Sequence, residues 1–454
     1  MIKLLFRNRE FRQSLIKSEF TGDSSMDRRL YDSCVSIIHS ELKVALGCTE
    51  PIAIAYAAAK ARAVLGELPD KVHVLCSGNI IKNVMGVTVP NSGGLKGIAP
   101  AAVLGIVGGD GKLELAVLET ATDEDRAKTR ELLKDRNYCR CDLIEGVDNL
   151  YIAVTLSKGA HSSEVEITGT HTGITRIMKD GELIFSAKPA DVSEKKASEA
   201  EQDLSELSIK TILEFADEAR LEDIAETIER QIEYNSAIAE EGIENPWGAE
   251  IGRTLLNSCA EPSIETVARA YAAAGSDARM SGCPKAAVII SGSGNQGITA
   301  SVPVIKYAEH LGVSREKLIR ALAVSNLIAK YQKHFIGNLS AYCGATAAAT
   351  GAGAGIAYLM GYGCDIISQQ IINTIATIGG MVCDGAKPSC ASKISSALGT
   401  SLDALNLAAR GKVFKEGEGV VKEDVDATVK SVGRMAREGM KATDVEILNI
   451  MLGH

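Results

Sequence analysis

Residues 174–185 read ITRIMKDGELIF, and this stretch contains the clearest strand signal in the chain. Its two halves, Ile174–Met178 and Leu183–Phe185, are rich in the β-branched, apolar and aromatic residues that strands favour. Asp180-Gly181 between them is a strong signal for a tight hairpin turn. The stretch therefore predicts a β-rich segment that ends near residue 187.

The sequence before the hairpin predicts more strands and one well-defined helix. Thr49 is placed to cap a helix, Pro51 stands in its first turn, and the alanine-rich run Ile52–Val64 continues it. The predicted strands are Lys71–Cys76, Leu113–Leu118 with a less regular alternation, Tyr151–Leu156 and Val165–Thr168. We therefore expect an α/β domain over residues 27–187.

The pattern changes after residue 187. Residues 188–206 are mainly Ala, Ser, Lys and Glu without aromatics, which predicts an exposed connection. Residues 221–232 then place apolar side chains on one helical face, and the helical pattern continues over Ser314–Lys330, with Ser314 as cap, and Ile366–Ile378. The fold class predicted is α+β, with a mostly α-helical domain at 207–454.

Two segments share some, but not all, features of a targeting or membrane segment. Residues 1–26 are basic but lack a continuous apolar run, so we expect a disordered or start-site extension and no secretory signal. The uncharged run at 344–363 is about as long as a membrane span, but its Ala, Gly and Thr residues favour a buried helix that packs closely on another.

Composition limits the possible partners and the compartment. The net charge of −9 argues against nucleic acid or an anionic membrane as the main partner. Eleven cysteines in 454 residues are an odd number and do not suggest a disulfide framework. They predict reduced thiols and a cytoplasmic location.

Three cysteines stand out because of their surroundings. Cys343, Cys383 and Cys390 lie in Gly/Ala-rich, nearly uncharged sequence. Three thiolates can hold three irons of a [4Fe–4S] cube and leave the fourth iron open to a substrate. On residue chemistry alone, buried free thiols are favoured over ligands, because no C-x-x-C pair tightens the spacing.

Residues 292–297, GSGNQG, match the G-x-G-x-x-G pattern, and Ala286–Ile290 before them could be a strand. A dinucleotide site also needs a following helix and a further parallel strand. Pro303 is expected to interrupt that helix, so a nucleotide site is disfavoured. A nest of backbone amides with Asn295 that holds a carboxylate, or a glycine-rich helix entry without a ligand, are the alternatives.

Cys48 stands immediately before the predicted helix at Thr49. Unpaired amides at a helix start favour a thiolate, so we expect the pKa of the Cys48 thiol to be lowered. The thiolate would then act as a base, a nucleophile or a ligand. A small buried residue beside a cap is the plainer alternative.

Several motifs together resemble a known family. They are Gly47-Cys48-Thr49-Glu50-Pro51, Ser281-Gly282-Cys283-Pro284, the glycine loop at 292–297 and the segments around Cys343, Cys383 and Cys390. In these stretches the chain resembles the iron–sulfur L-serine dehydratase alpha-chain family, and in detail its L-cysteine desulfidase branch, also called uncharacterised protein family 0597. The resemblance covers nearly the whole chain from about Met26 onward.

The resemblance implies a function and a set of site residues. It implies that L-cysteine and water give pyruvate, ammonia and sulfide at a [4Fe–4S] cluster, with L-serine ammonia-lyase or non-catalytic cysteine binding as alternatives. The expected partner is an amino-acid substrate, neither nucleic acid nor a membrane is expected, and assembly into a homo-oligomer is left open. The residues are Cys343, Cys383 and Cys390 as cluster ligands, Cys48 as base or fourth ligand, and Thr49, Ser293, Gly294, Asn295 and Lys393 around the substrate.

One difference from the family's serine dehydratases favours cysteine as substrate. Many of those enzymes carry a Ser-Ser-His-Thr-type motif, and some end with a cysteine that closes the fourth iron. This chain has no Ser-His-Thr sequence, and its last residues, 449–454, contain no cysteine.

Overall fold

The computed structural model describes residues 26–187 and 204–453, apart from residues 205 and 338. Most of the predicted N-terminal extension and of the predicted 188–206 connection lies outside these ranges. The described residues form one part around a six-stranded sheet and another that is almost wholly helical. The predicted α+β fold class is therefore confirmed.

The first part, up to residue 187, combines short strands and helices. Its strands are β1 (Val44–Leu46), β2 (Lys71–Cys76), β3 (Cys139–Leu143), β4 (Tyr151–Lys158), β5 (His161–Thr168), β6 (Ile174–Lys179) and β7 (Glu182–Ser186). Its helices are α1 (Arg28–Glu41), α2 (Thr49–Leu65), α3 (Gly78–Met85), α4 (Ile98–Gly108) and α5 (Asp123–Leu132).

The second part contains helices and one short strand, β8 (Ala286–Val288). Its helices are α6 (Ile209–Glu218), α7 (Leu221–Glu244), α8 (Ile251–Leu256), α9 (Ile264–Met280), α10 (Gly294–Leu311), α11 (Arg315–Ile336), α12 (Gly344–Leu359), α13 (Cys364–Ile378), α14 (Cys390–Ala408), α15 (Val425–Arg434) and α16 (Lys441–Leu452). Ser314 caps α11 by accepting a hydrogen bond from the Lys317 amide, as predicted.

The sheet has the strand order β3-β2-β4-β5-β6-β7, and β2–β3 is its parallel pair. The predicted strands from Lys71 to Phe185 are present, except one. Asp180 and Gly181 turn the β6–β7 hairpin with φ values of 51° and 83°, the positive values that a two-residue hairpin turn requires. The hairpin prediction is therefore confirmed.

Two predictions about strands are wrong. Leu113–Leu118 forms a 3-10 turn at Glu114–Ala116, because its backbone bonds nearby residues such as Asp110 and not a neighbouring strand. Strand β3 was not predicted, because its Cys-Arg-Cys-Asp-Leu sequence is largely polar, as suits its place at the edge of the sheet.

Strand β8 joins the two parts of the chain because it pairs with β1, Val44 opposite Val288. This pairing is antiparallel, so the glycine loop after β8 does not belong to the parallel βαβ unit that binds dinucleotides. The prediction that Pro303 interrupts the next helix is wrong. Pro303 lies inside α10, whose buried residues on both sides hold the helix despite the missing N–H.

The apolar side chains form two large cores. One lies between the sheet and helices α2 and α4, and the other lies among the helices of the second part. The sequence grouped residues 27–187 in one domain, but Tyr31, Cys34, Ile37 and Ile38 of α1 pack into the helical core. By its contacts, α1 therefore lies with the second part.

Helix α12 was predicted from residues 344–363 to be a buried helix, and it is buried along most of its length. Within the described ranges, no helix is long and apolar enough to cross a membrane. Gly351 brings α12 against α11, since a Cβ at this position would stand 2.3 Å from the Ser325 carbonyl oxygen.

We expect Gly351→Ala to lower the free energy of unfolding by about 1–3 kcal/mol, because α12 would have to move away from α11. Denaturant unfolding measures this change. Gly380→Ala is the control, since a Cβ there meets no heavy atom within 4 Å. Equal losses in both variants would contradict the close-packing argument.

Candidate functional site

A cavity of about 1180 Å³ lies between the sheet-containing part and the helical part. Eight of the nine predicted site residues line it, and the exception is Gly294. The eight are Cys48, Thr49, Ser293, Asn295, Cys343, Cys383, Cys390 and Lys393. Residues more than 300 positions apart in sequence thus meet in one place.

Four helix N-termini are directed at this cavity. Cys48 is the N-cap of α2, Ser293 of α10 and Cys343 of α12, and Cys390 is the first residue of α14. The Ser293 side chain accepts from the Gln296 amide at 3.4 Å, whereas neither Cys48 nor Cys343 makes a side-chain cap bond. Helix N-termini carry partial positive charge, so the cavity favours anionic groups.

Cys343 and Cys383 are held together by the backbone. Tyr342 and Val382 form an isolated antiparallel bridge, and the Cys383 amide donates to the Ala341 carbonyl oxygen at 2.6 Å. A hydrogen bond from the Cys343 thiol lowers the pKa of Cys383 to about 6. This arrangement explains how two segments 40 residues apart present their thiols to the same cavity.

Cys390 completes the set of three predicted cluster ligands. Its Sγ lies 3.7 Å from the Gly385 carbonyl oxygen, and burial raises the pKa of its thiol. In the described part of the chain, no three His, Cys, Asp or Glu side chains converge on a point suited to one metal ion. A cube makes a different demand, because each thiolate binds its own iron.

Two buried lysines lie beside these thiols. The Lys82 ammonium pairs with the Asp444 carboxylate of α16, and its charge also helps to lower the pKa of Cys383. Burial lowers the pKa of Lys333 to about 8, while Cys383 and Cys343 act in the opposite direction. Three thiols, two cations and several helix N-termini are a donor set that fits an anionic iron–sulfur cluster.

Lys393 was predicted to pair with a substrate carboxylate. Its ammonium instead pairs with the Asp384 carboxylate and donates to the Val382 carbonyl oxygen at 2.8 Å. Burial alone would raise the pKa of Asp384, but hydrogen bonds from Lys387 and Lys393 lower it to about 2. A substrate carboxylate would therefore compete with Asp384 for Lys393.

Two expectations about the start of α2 are wrong. Thr49 is not the cap, since Cys48 occupies that position, and the Thr49 hydroxyl donates to the Gly292 carbonyl oxygen at 2.8 Å. The pKa of the Cys48 thiol is raised, not lowered, because burial and the Glu50 carboxylate disfavour the thiolate more than the helix start favours it.

Cys48 belongs to a buried group with Glu50 and His171. The Cys48 thiol donates to Glu50 Oε2 at 3.0 Å, and Glu50 Oε1 lies 3.8 Å from His171 Nε2. Burial alone would raise the pKa of Glu50, but His171 and the Cys48 thiol lower it to about 2. The Glu50 carboxylate therefore stays ionised and holds the Cys48 thiol proton in a hydrogen bond.

Glu50, His171 and Arg279 were not predicted as site residues from the sequence. Arg279 is 2% exposed and donates from Nη1 to Asn295 Oδ1 at 3.3 Å. Gly294 lies against this guanidinium, since a Cβ there would stand 2.3 Å from Nε. A charged residue in the alanine-rich run before Ser281-Gly282-Cys283-Pro284 was the available signal for Arg279, and His171 had none.

Comparison with known proteins identifies the family to which this chain is similar. The family described as serine dehydratase alpha chain matches residues 112–449. A UPF0597 protein of Lachnoclostridium phytofermentans is 49% identical over 423 residues, which are 93% of this chain and 100% of that protein. A UPF0597 protein of Finegoldia magna is 45% identical over 417 residues, which are 92% of this chain and 98% of that protein.

A third relative shows the same extent of similarity. UPF0597 protein DSY1109 of Desulfitobacterium hafniense is 45% identical over 424 residues, which are 93% of this chain and 97% of that protein. The matches span the sheet-containing part, the helical part and the cavity between them. The chain therefore belongs to the serine dehydratase alpha-chain family, in its UPF0597 group.

Proposed function

We propose that this protein is an L-cysteine desulfidase, which converts L-cysteine and water to pyruvate, ammonia and sulfide. The observation that carries the proposal is that Cys48, Cys343, Cys383 and Cys390 line one cavity. Membership of the serine dehydratase alpha-chain family supports lyase chemistry on a small amino acid.

Cys343, Cys383 and Cys390 would hold a [4Fe–4S] cluster at the helical side of the cavity. When bound, the cluster supplies an open iron that acts as a Lewis acid on the substrate sulfur and makes it a better leaving group. The helix N-termini, with Lys82 and Lys333, stabilise negative charge at this wall.

Cys48 is the proposed base for the Cα proton. Its thiol proton has an acceptor in Glu50 Oε2 at 3.0 Å, and His171 lies beyond the other oxygen of that carboxylate. Burial and the Glu50 charge raise the pKa of this thiol, so the thiolate is a strong base for the Cα proton once it forms. The charge of Arg279 acts in the opposite direction and lowers that pKa.

The remaining chemistry needs little from the protein. Loss of the Cα proton and of sulfide leaves an aminoacrylate, which tautomerises to an imine and hydrolyses to pyruvate and ammonia. The chain's task is to orient the amino acid and to limit the access of bulk water and oxygen.

L-Serine ammonia-lyase activity is the second candidate, and the description of the matching family favours it. The same cavity could eliminate water from L-serine in place of sulfide from L-cysteine. The absence of Ser-His-Thr from this sequence keeps cysteine as the preferred substrate.

We expect anaerobic reconstitution with iron and sulfide to give an enzyme that releases sulfide and pyruvate in equal amounts from L-cysteine. Both products are measured with L-cysteine and then with L-serine. Faster pyruvate formation from L-serine would transfer the assignment to ammonia-lyase. Saturable L-cysteine binding without either product would indicate a non-catalytic binding protein.

The cysteines also bear on where such an enzyme would work. All eleven are free thiols, including the closely spaced Cys139 and Cys141, whose sulfurs are 3.9 Å apart. Free thiols and an oxygen-sensitive cluster both fit a reducing, cytoplasmic compartment, which we propose for this protein.

A further inference from the structure

Arg279 is a buried cation whose charge has no counter-ion among the described residues. It is 2% exposed, and no carboxylate of the described chain forms an ion pair with it. Its Nε and Nη2 atoms are buried and have no hydrogen-bond partner within the described ranges. Burying a guanidinium without a counter-ion costs free energy, so an anionic group from outside the described chain would stabilise Arg279.

The free atoms have the geometry of a carboxylate receptor. Nε and Nη2 form one edge of the planar guanidinium, and such an edge donates two parallel hydrogen bonds to the two oxygens of a carboxylate. The third nitrogen, Nη1, is held by Asn295 Oδ1 at 3.3 Å, which orients the plane. Arg279 lies at the C-terminal end of α9, where carbonyl groups favour a cation, but none accepts from Nε or Nη2.

The position of the guanidinium depends on Gly294. An added Cβ at this residue would stand 2.3 Å from Nε and 2.8 Å from Cζ, so glycine allows the guanidinium to lie against the start of α10. Gly294 is also the first residue of α10, whose N-terminal amides attract negative charge. The buried guanidinium and the helix start therefore favour the same kind of ligand.

The receptor is next to the proposed base. Arg279, Cys48 and Asn295 line one cavity, and Arg279 is close enough to act on the charge of the Cys48 sulfur. The Thr49 hydroxyl bonds to the Gly292 carbonyl oxygen at 2.8 Å, which fixes the start of α2 against the glycine loop. A carboxylate held at Arg279 would thus place the carbon attached to it near Cys48.

We propose that Arg279 is the receptor for the α-carboxylate of the substrate amino acid, with Gly294 allowing the guanidinium to lie at the start of α10 and Asn295 orienting it. The identity of the amino acid rests on the proposed function. The receptor selects substrates with a free carboxylate, so L-cysteine binds and L-cysteinamide, which has the same thiol and Cα proton, does not. In this role Arg279 adds a charged partner to the glycine loop, which was already a predicted carboxylate site, and takes the place of Lys393.

The test compares L-cysteine with L-cysteinamide. Titration calorimetry on the full chain without cluster measures binding without turnover, and steady-state kinetics are added for the reconstituted enzyme. Loss of a charge-assisted, two-bond contact in Arg279→Gln should weaken L-cysteine binding by roughly 10–100-fold and abolish the preference over the amide. Because the carboxylate is held in the ground and transition states alike, KM should rise far more than kcat falls.

Two further variants distinguish loss of the carboxylate contact from loss of the fold. Gly294→Ala displaces the guanidinium, because the added Cβ would overlap Nε, and should reproduce the loss of preference with the charge retained. Arg269→Gln is the control, because this arginine lies on the same helix but donates to the Ser395 carbonyl oxygen at 3.0 Å. Thermal unfolding verifies the fold of each variant, and Gly294→Ala decides the matter if Arg279→Gln does not fold.

An unchanged preference for L-cysteine over its amide in a folded Arg279→Gln or Gly294→Ala variant would overturn the proposal. A native chain that binds both compounds equally, or neither, would overturn it as well. The carboxylate receptor and the desulfidase activity are tested independently, because binding is measured without the cluster. A chain that discriminates through Arg279 but releases no sulfide would refute only the desulfidase assignment.

Discussion

Replacing Cys383 by serine is expected to leave a folded chain without iron and without activity. Cys383 has the lowered thiol pKa of the three cysteines, held by the hydrogen bond from Cys343 and by Lys82. A thiolate is the form that binds iron, whereas a serine hydroxyl does not ionise under the same conditions. Iron and acid-labile sulfide per chain, together with absorbance of the reconstituted protein, measure the loss.

Cys343→Ser and Cys390→Ser should have the same effect, because each thiolate holds a different iron. Cys364→Ser is the control, since Cys364 is half-buried at the start of α13 and its Sγ lies 3.8 Å from the Ser368 hydroxyl oxygen, away from the three predicted ligands in sequence. Full iron content and activity in Cys383→Ser would refute the ligand assignment. Loss of iron in Cys364→Ser would show that the assay reports folding and not ligation.

The second large effect is expected from Cys48→Ala. If Cys48 is the base, the variant keeps its iron and loses roughly 10²–10⁴-fold in kcat, the usual contribution of a positioned acid or base. Exchange of the substrate Cα proton with deuterium in solvent should disappear with it. Both readouts are needed, because exchange reports proton removal directly, whereas sulfide release also reports departure of the sulfur.

Two results would change the role of Cys48. A Cys48→Ala enzyme with near-normal kcat would exclude it as base, and a variant that lacks iron would make it a fourth cluster ligand. Glu50→Gln tests the electrostatic effect on Cys48 separately, because glutamine keeps the shape of Glu50 but removes the charge that raises the pKa of the Cys48 thiol. We expect the pH dependence of kcat to shift to lower pH while iron content stays unchanged.

The sequence alone was sufficient for features that depend on a few neighbouring residues. The β6–β7 hairpin followed from Asp180-Gly181, and the start of α11 followed from Ser314, because turn and cap preferences are set within about one turn of the chain. The alanine-rich run of α12 likewise predicted a buried helix. The cysteine segments and the glycine loop were also found this way, since motifs are local by definition.

Other features were decided by residues far apart in the chain. The antiparallel β1–β8 pair joins residues more than 200 positions apart, and it excluded the parallel unit that the glycine pattern alone would have allowed. The apolar residues of α1 could equally have packed on the sheet. Their place in the helical core depends on surfaces formed only after the chain has folded.

The pKa of the Cys48 thiol was likewise decided by residues and surfaces that come together only in the folded protein. Its position before a helix predicted a lowered pKa, but burial and Glu50 raise the pKa, and desolvation depends on the whole surrounding structure. The sequence offered only a weak signal for Arg279, because its role depends on two buried nitrogens without hydrogen-bond partners beside Gly294. The sequence determined which local elements and reactive side chains this protein has, and only tertiary burial decided their charges, their partners and the cavity that they share.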